Sequence, residues 1–172
     1  MAENTGTEIL QQQQDDLLEV EDSMENRYLV FDVKDEYYSI EIRYITEIVE
    51  MMPVTVVPSI PDCIVGVINL RGAIIPIMDV RMRFGYETKE YDSRTCIVVL
   101  DNEEIALGLI VDSVQEVTEI DQETIAAPPT AGARTADYYV KGIAKWKNDL
   151  QLIIDVDKFF SLDDAGMLNA VN

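Results

Sequence analysis

The sequence has no histidine, and only 13 lysine and arginine residues stand against 33 aspartate and glutamate, for a net charge of −20. Without histidine the commonest general base and the commonest transition-metal ligand are missing. So strong an acidic excess repels nucleic-acid phosphates and anionic membrane surfaces alike, which leaves proteins as the natural partners. Cysteine is scarce too. Cys63 and Cys96 each sit alone in an apolar run, which argues against a disulfide framework and for two reduced, buried thiols. Neither has a histidine to activate it, so a Cys-His nucleophile is excluded. No apolar run approaches the roughly 20 residues of a membrane span. The N-terminus, MAENTGTEIL, lacks the basic-then-apolar pattern of a secretory leader. A cytosolic protein is expected.

Catalytic motifs are missing as well. There is no GxxxxGKS/T loop and no GxGxxG turn, and the isolated glycines suit bulges, turns and close backbone approaches. Carboxylates are plentiful, but pairs such as Asp155 with Asp157, or Asp101 with Glu103 and Glu104, are what the charge excess produces by chance. The DNEE stretch lacks the glycine and ligand spacing of a calcium loop. These read as solvated turn carboxylates, and no catalytic residue, metal or cofactor is expected.

What is present is a long series of short apolar runs. Residues 1–26 hold eight acidic side chains, no lysine or arginine, and the tract Gln11 to Gln14, so this segment reads as a disordered acidic tail. Ile9, Leu10, Leu17, Leu18 and Val20 offer it the alternative of a short amphipathic helix. The folded body is expected over 27–161, with 162–172 a loose tail or short helix. Within the body, RYLVFDV and EYYSIEI flank Lys34-Asp35 as a hairpin. ITEIVEMM follows, then PVTVVPSIPD, whose three prolines bound a short strand and a loop, then CIVGVINL and GAIIPIMDV. RMRFG suggests one helical turn, and TCIVVLDNEEIALGLIVDSV two runs around Asp101-Asn102. VQEVTEI alternates, YYVKGIAKW and LQLIIDV form a last hairpin, and DKFFS closes with a short helix. About ten strands and no long helix in the body make an all-β fold whose spacing suits small closed barrels.

One stretch raises a question: GVINLRGAIIPIMDV, residues 66–80, places Asn69, Leu70, Arg71 and Gly72 between two runs that want burial. Such an arginine belongs at a barrel rim, where glycine permits a tight bend and the guanidinium offers a planar fork of donors. Pairing with a local carboxylate is the simpler role open to it.

The longer segment GVINLRGAIIPIMDVRMRFG resembles the signature of the CheW family, the coupling proteins of bacterial and archaeal chemotaxis. The resemblance continues through YLVFDVKDEYYSIEIRYITEIVE, IPDCIVGVINLRG, GLIVDSVQEVTEI and YVKGIAKWKNDLQLIIDVDKFF, and so covers about residues 27–161 in order. The acidic, glutamine-rich extension lies outside it. The resemblance implies two SH3-like five-stranded β-barrels packed together, without catalytic activity. It implies a protein that bridges membrane chemoreceptors to the regulatory domain of the histidine kinase CheA. Receptor binding then falls to Ile45 and Glu47 from YITEIVE, Asn69 and Arg71 from the signature, and Val114 and Val117 from VDSVQEV, lining a groove for a receptor helix. Kinase binding falls to Val54 and Val56. For Ile45, Val114 and Val117 the competing role is plain core packing, for Val54 and Val56 an ordinary edge strand, and an Arg71 to Glu47 pair can shape the groove itself. Two rival readings stay open: a CheV-type adaptor, whose receiver domain this chain lacks the length to hold, and a small-ligand binder using the cleft between barrels.

Overall fold

β-branched and aromatic residues favour the pleated, half-buried surface of a sheet, and the apolar runs are strands in the computed structural model, which describes residues 7–15, 24–58, 60, 62–128 and 134–160. Ten strands are present among the described residues: β1 (Arg27–Val33), β2 (Glu36–Glu41), β3 (Ile45–Glu50), β4 (Ile64–Leu70), β5 (Ala73–Asp79), β6 (Cys96–Asp101), β7 (Ala106–Val111), β8 (Ser113–Glu119), β9 (Val140–Trp146) and β10 (Asp149–Ile154). They form two five-stranded sheets, ordered β8-β1-β2-β10-β9 and β3-β6-β7-β5-β4.

Each sheet closes into an SH3-like barrel by the same device. The chain beyond β3 returns to β4 through a bridge of Thr55 to Val67, and the chain beyond β8 returns to β9 through Ala126 to Ile143. Closure leaves neither sheet with a long free edge. Gly66 makes the first closure possible. Its φ is +153°, and a Cβ there would lie 2.2 Å from the Thr55 carbonyl oxygen.

The barrels repeat one topology, with a parallel β5–β7 pair in one matched by a parallel β10–β2 pair in the other. The second barrel uses the contiguous strands β3 to β7. The first takes β8, β9 and β10 and borrows β1 and β2 from the other end of the chain. Two strands, β3 and β8, therefore carry the chain from one barrel into the other, and both have alternating or largely exposed faces.

Burial on two faces explains the near-continuous apolar runs of β1, β6 and β7. One face of these strands fills a barrel: Ile97, Val99 and Ile110 join Ile68, Ile75 and Ile77 inside the second barrel, and Tyr28 joins Ile120, Ala144 and Ile153 inside the first. The other face builds a larger core between barrels, where Leu29, Phe31, Tyr38 and Ile40 meet Val98, Leu100, Leu107 and Leu109. Phe84, Tyr139 and Phe159 complete it with stacked and tilted rings. Each fully buried side chain of this size stabilises by roughly 1.5–3 kcal/mol, so the inter-barrel core welds two small barrels into one unit.

Several boundaries differ from expectation. Lys34-Asp35 is a two-residue turn with both φ angles positive, as read from sequence. The β6–β7 connection runs over 102–105 rather than Asp101-Asn102, because Asn102 Oδ1 accepts from the backbone N–H of Glu104 and Ile105 and builds a longer loop. The proline-bounded PVTVVP segment contributes one bridge instead of a strand, since prolines cannot donate to a ladder. The expected helical turns are Val80–Arg83 and Asp157–Phe160. Cys63 is buried and Cys96 half-buried, both as free thiols. Residues 7–15 form a helix with every side chain exposed. Leu17, Leu18, Val20 and residues 162–172 lie outside the described residues.

Candidate functional site

The β4–β5 hairpin leaves Arg71-Gly72 as its two-residue loop, with φ of 53° and 87°. Positive φ at both positions gives the turn whose twist matches the flanking strands. Glycine adopts it freely, whereas a residue with a Cβ is disfavoured there by about 1 kcal/mol. Asn69 offsets part of that cost, because its Oδ1 accepts from the Gly72 N–H at 3.0 Å.

The turn aims Arg71 at β3. A bulge between Ile45 and Glu47 sets Glu47 opposite Val99. Arg71 Nη1 donates to Glu47 Oε1 at 3.0 Å, and Nη2 approaches Oε2 at 2.9 Å. This is a two-pronged guanidinium–carboxylate pair. The Arg71 side chain is nevertheless 77% exposed. An exposed pair contributes only about 0–1 kcal/mol, no more than the left-handed backbone costs, so stability does not account for an arginine here. What the pair secures is a guanidinium held at a defined place on the surface with donors to spare.

The six residues assigned to receptor binding thus divide. Glu47, Asn69 and Arg71 are joined by the turn and its ion pair. Ile45 and Val114 are both half-buried and both pack against the inter-barrel core, so each combines the core role with a partly exposed face. Val117, opposite Leu29 on β8, is 51% exposed. Of the two assigned to kinase binding, Val56 is 78% exposed, and Val54 is half-buried against the interior cluster of the second barrel. Sequence reasoning missed Ile48 and Ile74, also exposed. Ile48 follows Glu47 on β3, and Ile74 pairs with Asn69 across the hairpin. Only the strand register reveals that they flank the Arg71 turn.

A second polar cluster holds the two barrels in place. Asp112 links β7 of one barrel to β8 of the other. Its carboxylate accepts from Arg81 Nε at 2.8 Å and Nη2 at 2.6 Å, and from the Lys34 N–H at 2.8 Å. Burial pushes the Asp112 carboxyl up, but the Arg81 guanidinium and the Lys34 N–H together hold it below its ordinary value. Buried Asp79 starts the adjoining helical turn by accepting from the N–H groups of Arg81 and Met82, and it also accepts from the Tyr91 hydroxyl. Nothing in the sequence reading had given Asp112 or Asp79 a role.

Two interleaved five-stranded barrels, joined by a shared core and presenting one clamped guanidinium on a tight turn, define a double-barrel domain. The chain belongs to the CheW-like family, whose CheW-like domain matches residues 27–164. Chemotaxis protein CheW of Klebsiella aerogenes is 31% identical over 84% of this chain and 87% of that one. Chemotaxis protein CheW of Helicobacter pylori is 33% identical over 80% and 82%. The crystal structure of the scaffolding protein TtCheW from Thermoanaerobacter tengcongensis superposes with a TM-score of 0.73 at 34% identity, over 81% of this chain and 90% of that one.

Proposed function

We propose that this chain is a non-catalytic chemotaxis coupling protein that bridges membrane chemoreceptors to the histidine kinase CheA, with residues 27–161 as the working domain. In this reading it acts from the cytoplasm and is recruited to receptor arrays. The observation that carries the proposal is the exposed Arg71–Glu47 pair at the signature turn of a CheW-like domain. It supports a receptor site made of Ile45, Glu47, Asn69, Arg71, Val114 and Val117, in which aliphatic side chains accept the apolar stripe of a receptor helix and Arg71 grips a carboxylate or carbonyl at the rim. Val54 and Val56 are assigned to the kinase regulatory domain, Val56 as the anchor because it is the more exposed. Each contact needs only modest affinity, because an array multiplies weak contacts through effective concentration.

The test is co-elution on size exclusion with a soluble receptor hairpin and, separately, with the kinase regulatory domain. The wild type is expected to bind both. Arg71→Glu is expected to lose the hairpin and keep the kinase domain. A wild type that binds neither, or an Arg71→Glu that binds the hairpin undiminished, overturns the reading.

A further inference from the structure

The residues assigned to the receptor stand on different barrels. Glu47 and Arg71 belong to the second, while Val114 and Val117 lie on β8 of the first. A helix that touches both walls depends on their relative setting. The largest apolar cluster joins the barrels, and burial of apolar surface is not directional. A group of directional bonds supplements it at one point, where a single residue, Asp112, separates β7 from β8. The other crossing, from β2 to β3, runs through the three-residue turn Ile42–Tyr44.

Asp112 is held from both barrels. On the side of the second barrel, Arg81 Nε and Nη2 donate to the two carboxylate oxygens, and the Arg81 backbone N–H is itself fixed on buried Asp79. On the side of the first barrel, the Lys34 N–H donates to the Asp112 carboxylate, and the Asp112 N–H donates to the Asp32 carbonyl at 3.0 Å. The Asp32 carboxylate then accepts from the Ser113 hydroxyl and, at 3.0 Å, from Gln115 Nε2. Residues 112, 113 and 115 are thus each pinned through a side chain, with Val114 among them. Gln115 is the extra residue of a bulge, since Val114 pairs with Phe31 and Glu116 with Val30. A bulge re-aims the side chains around it, so these bonds also bear on Val117. The Arg81 and Asp112 side chains are only 17% and 14% exposed. Removing either one leaves the other shielded and without its counter-charge.

We propose that Asp112 and Arg81 are positioning residues for the receptor site, holding the start of β8 so that Val114 and Val117 keep a fixed setting against Glu47 and Arg71. The inference rests on the receptor reading above and deepens it, by adding two residues that act through the wall and make no contact of their own with the partner.

The test is calorimetric titration of the full chain, at a temperature where every variant is folded, with the soluble receptor hairpin and separately with the kinase regulatory domain. Asp112→Asn and Arg81→Met are each expected to weaken hairpin binding about tenfold and to leave the kinase domain unchanged. The double variant is expected to lose no more than either single one, because the two side chains act as a unit. Arg81→Lys, which still carries a charge to Asp112, is expected to bind the hairpin more tightly than Arg81→Met. Hydrogen exchange on the same proteins is expected to quicken at Val114 to Val117 and to stay unchanged at Glu47 and Ile48 on β3. Hairpin affinity unchanged in both single variants overturns this inference alone, provided Arg71→Glu still loses the hairpin. Arg71→Glu that keeps the hairpin overturns the receptor reading itself. Equal weakening of both partners, exchange quickened alike in both barrels, or losses that add in the double variant assign the pair to stability only and overturn the positioning role.

Discussion

Single residues in this protein are constrained by the contacts they permit. Gly66 has no room for a side chain, because the Thr55 carbonyl that closes the barrel occupies the place of a Cβ. Gly66→Ala is therefore expected to destabilise by more than about 2 kcal/mol, read as a lower urea midpoint with an unchanged slope. Asp112 acts through charge. Its carboxyl is held below the ordinary 3.8 in the folded state, so its contribution is fully present above that value and is lost as the pH falls through the folded-state value. Asp112→Asn is expected to lower stability at neutral pH and to flatten the acid limb of the stability curve, measured by thermal melts between about pH 2 and pH 7. The role of Arg71 was partly legible from sequence, because an arginine inside an apolar run demands a partner and Glu47 was a candidate. The geometry that frees its remaining donors was not, since it depends on a left-handed backbone at Arg71 and on a bulge in β3 that sets Glu47 within its reach.

Strands and turns were readable wherever the signal was local. Lys34-Asp35 and Lys147 to Asp149 sit between short apolar runs, and both hairpins formed there, the second turning on Lys147-Asn148 alone because Asp149 already pairs with Trp146. The loop after Asp101 was placed too early because the side chain of Asn102 captures two later N–H groups, a local hydrogen-bond choice that composition does not settle. The bridge from Thr55 to Val67 was invisible because its partner lies in another element. Likewise the equivalence of the Arg71-Gly72 and Lys147-Asn148 turns exists in sheet register, between hairpins whose sequences, NLRGA and KWKND, share little. That equivalence makes a prediction about the barrel interiors. Gln151 fills in the first barrel the place that Ile75 fills in the second; its Nε2 donates to the Lys145 carbonyl at 3.2 Å, while its Oε1 has no hydrogen-bond partner among the described residues. Gln151→Ile relieves the unpaired oxygen and loses the one hydrogen bond, so it is expected to change stability by less than about 1 kcal/mol, measured by urea unfolding.

At the scale of the whole molecule, the fold class and the two-barrel plan were legible because turn signals recur between short apolar runs, and because the signature segment identified its relatives. Which strands make which barrel was not, since the order depends on pairings across the length of the chain. The inter-barrel core is the largest, so the barrels are expected to unfold together, with fluorescence of Trp146 in the first barrel and far-ultraviolet dichroism of the whole giving coincident transitions. Separate midpoints would contradict a shared core. With a net charge of −20, self-repulsion is expected to be relieved by screening, and the melting temperature to rise from low to physiological salt. The interleaved chain path also matters while the protein is being made. The second barrel can assemble as soon as β7 has left the ribosome, whereas β1 and β2, synthesised ahead of the other strands of the first barrel, must wait for β10 to arrive. For most of translation the earliest hairpin is thus an apolar surface without its final neighbours, and a nascent chain that stalls before residue 149 is a substrate for chaperones rather than half a working protein.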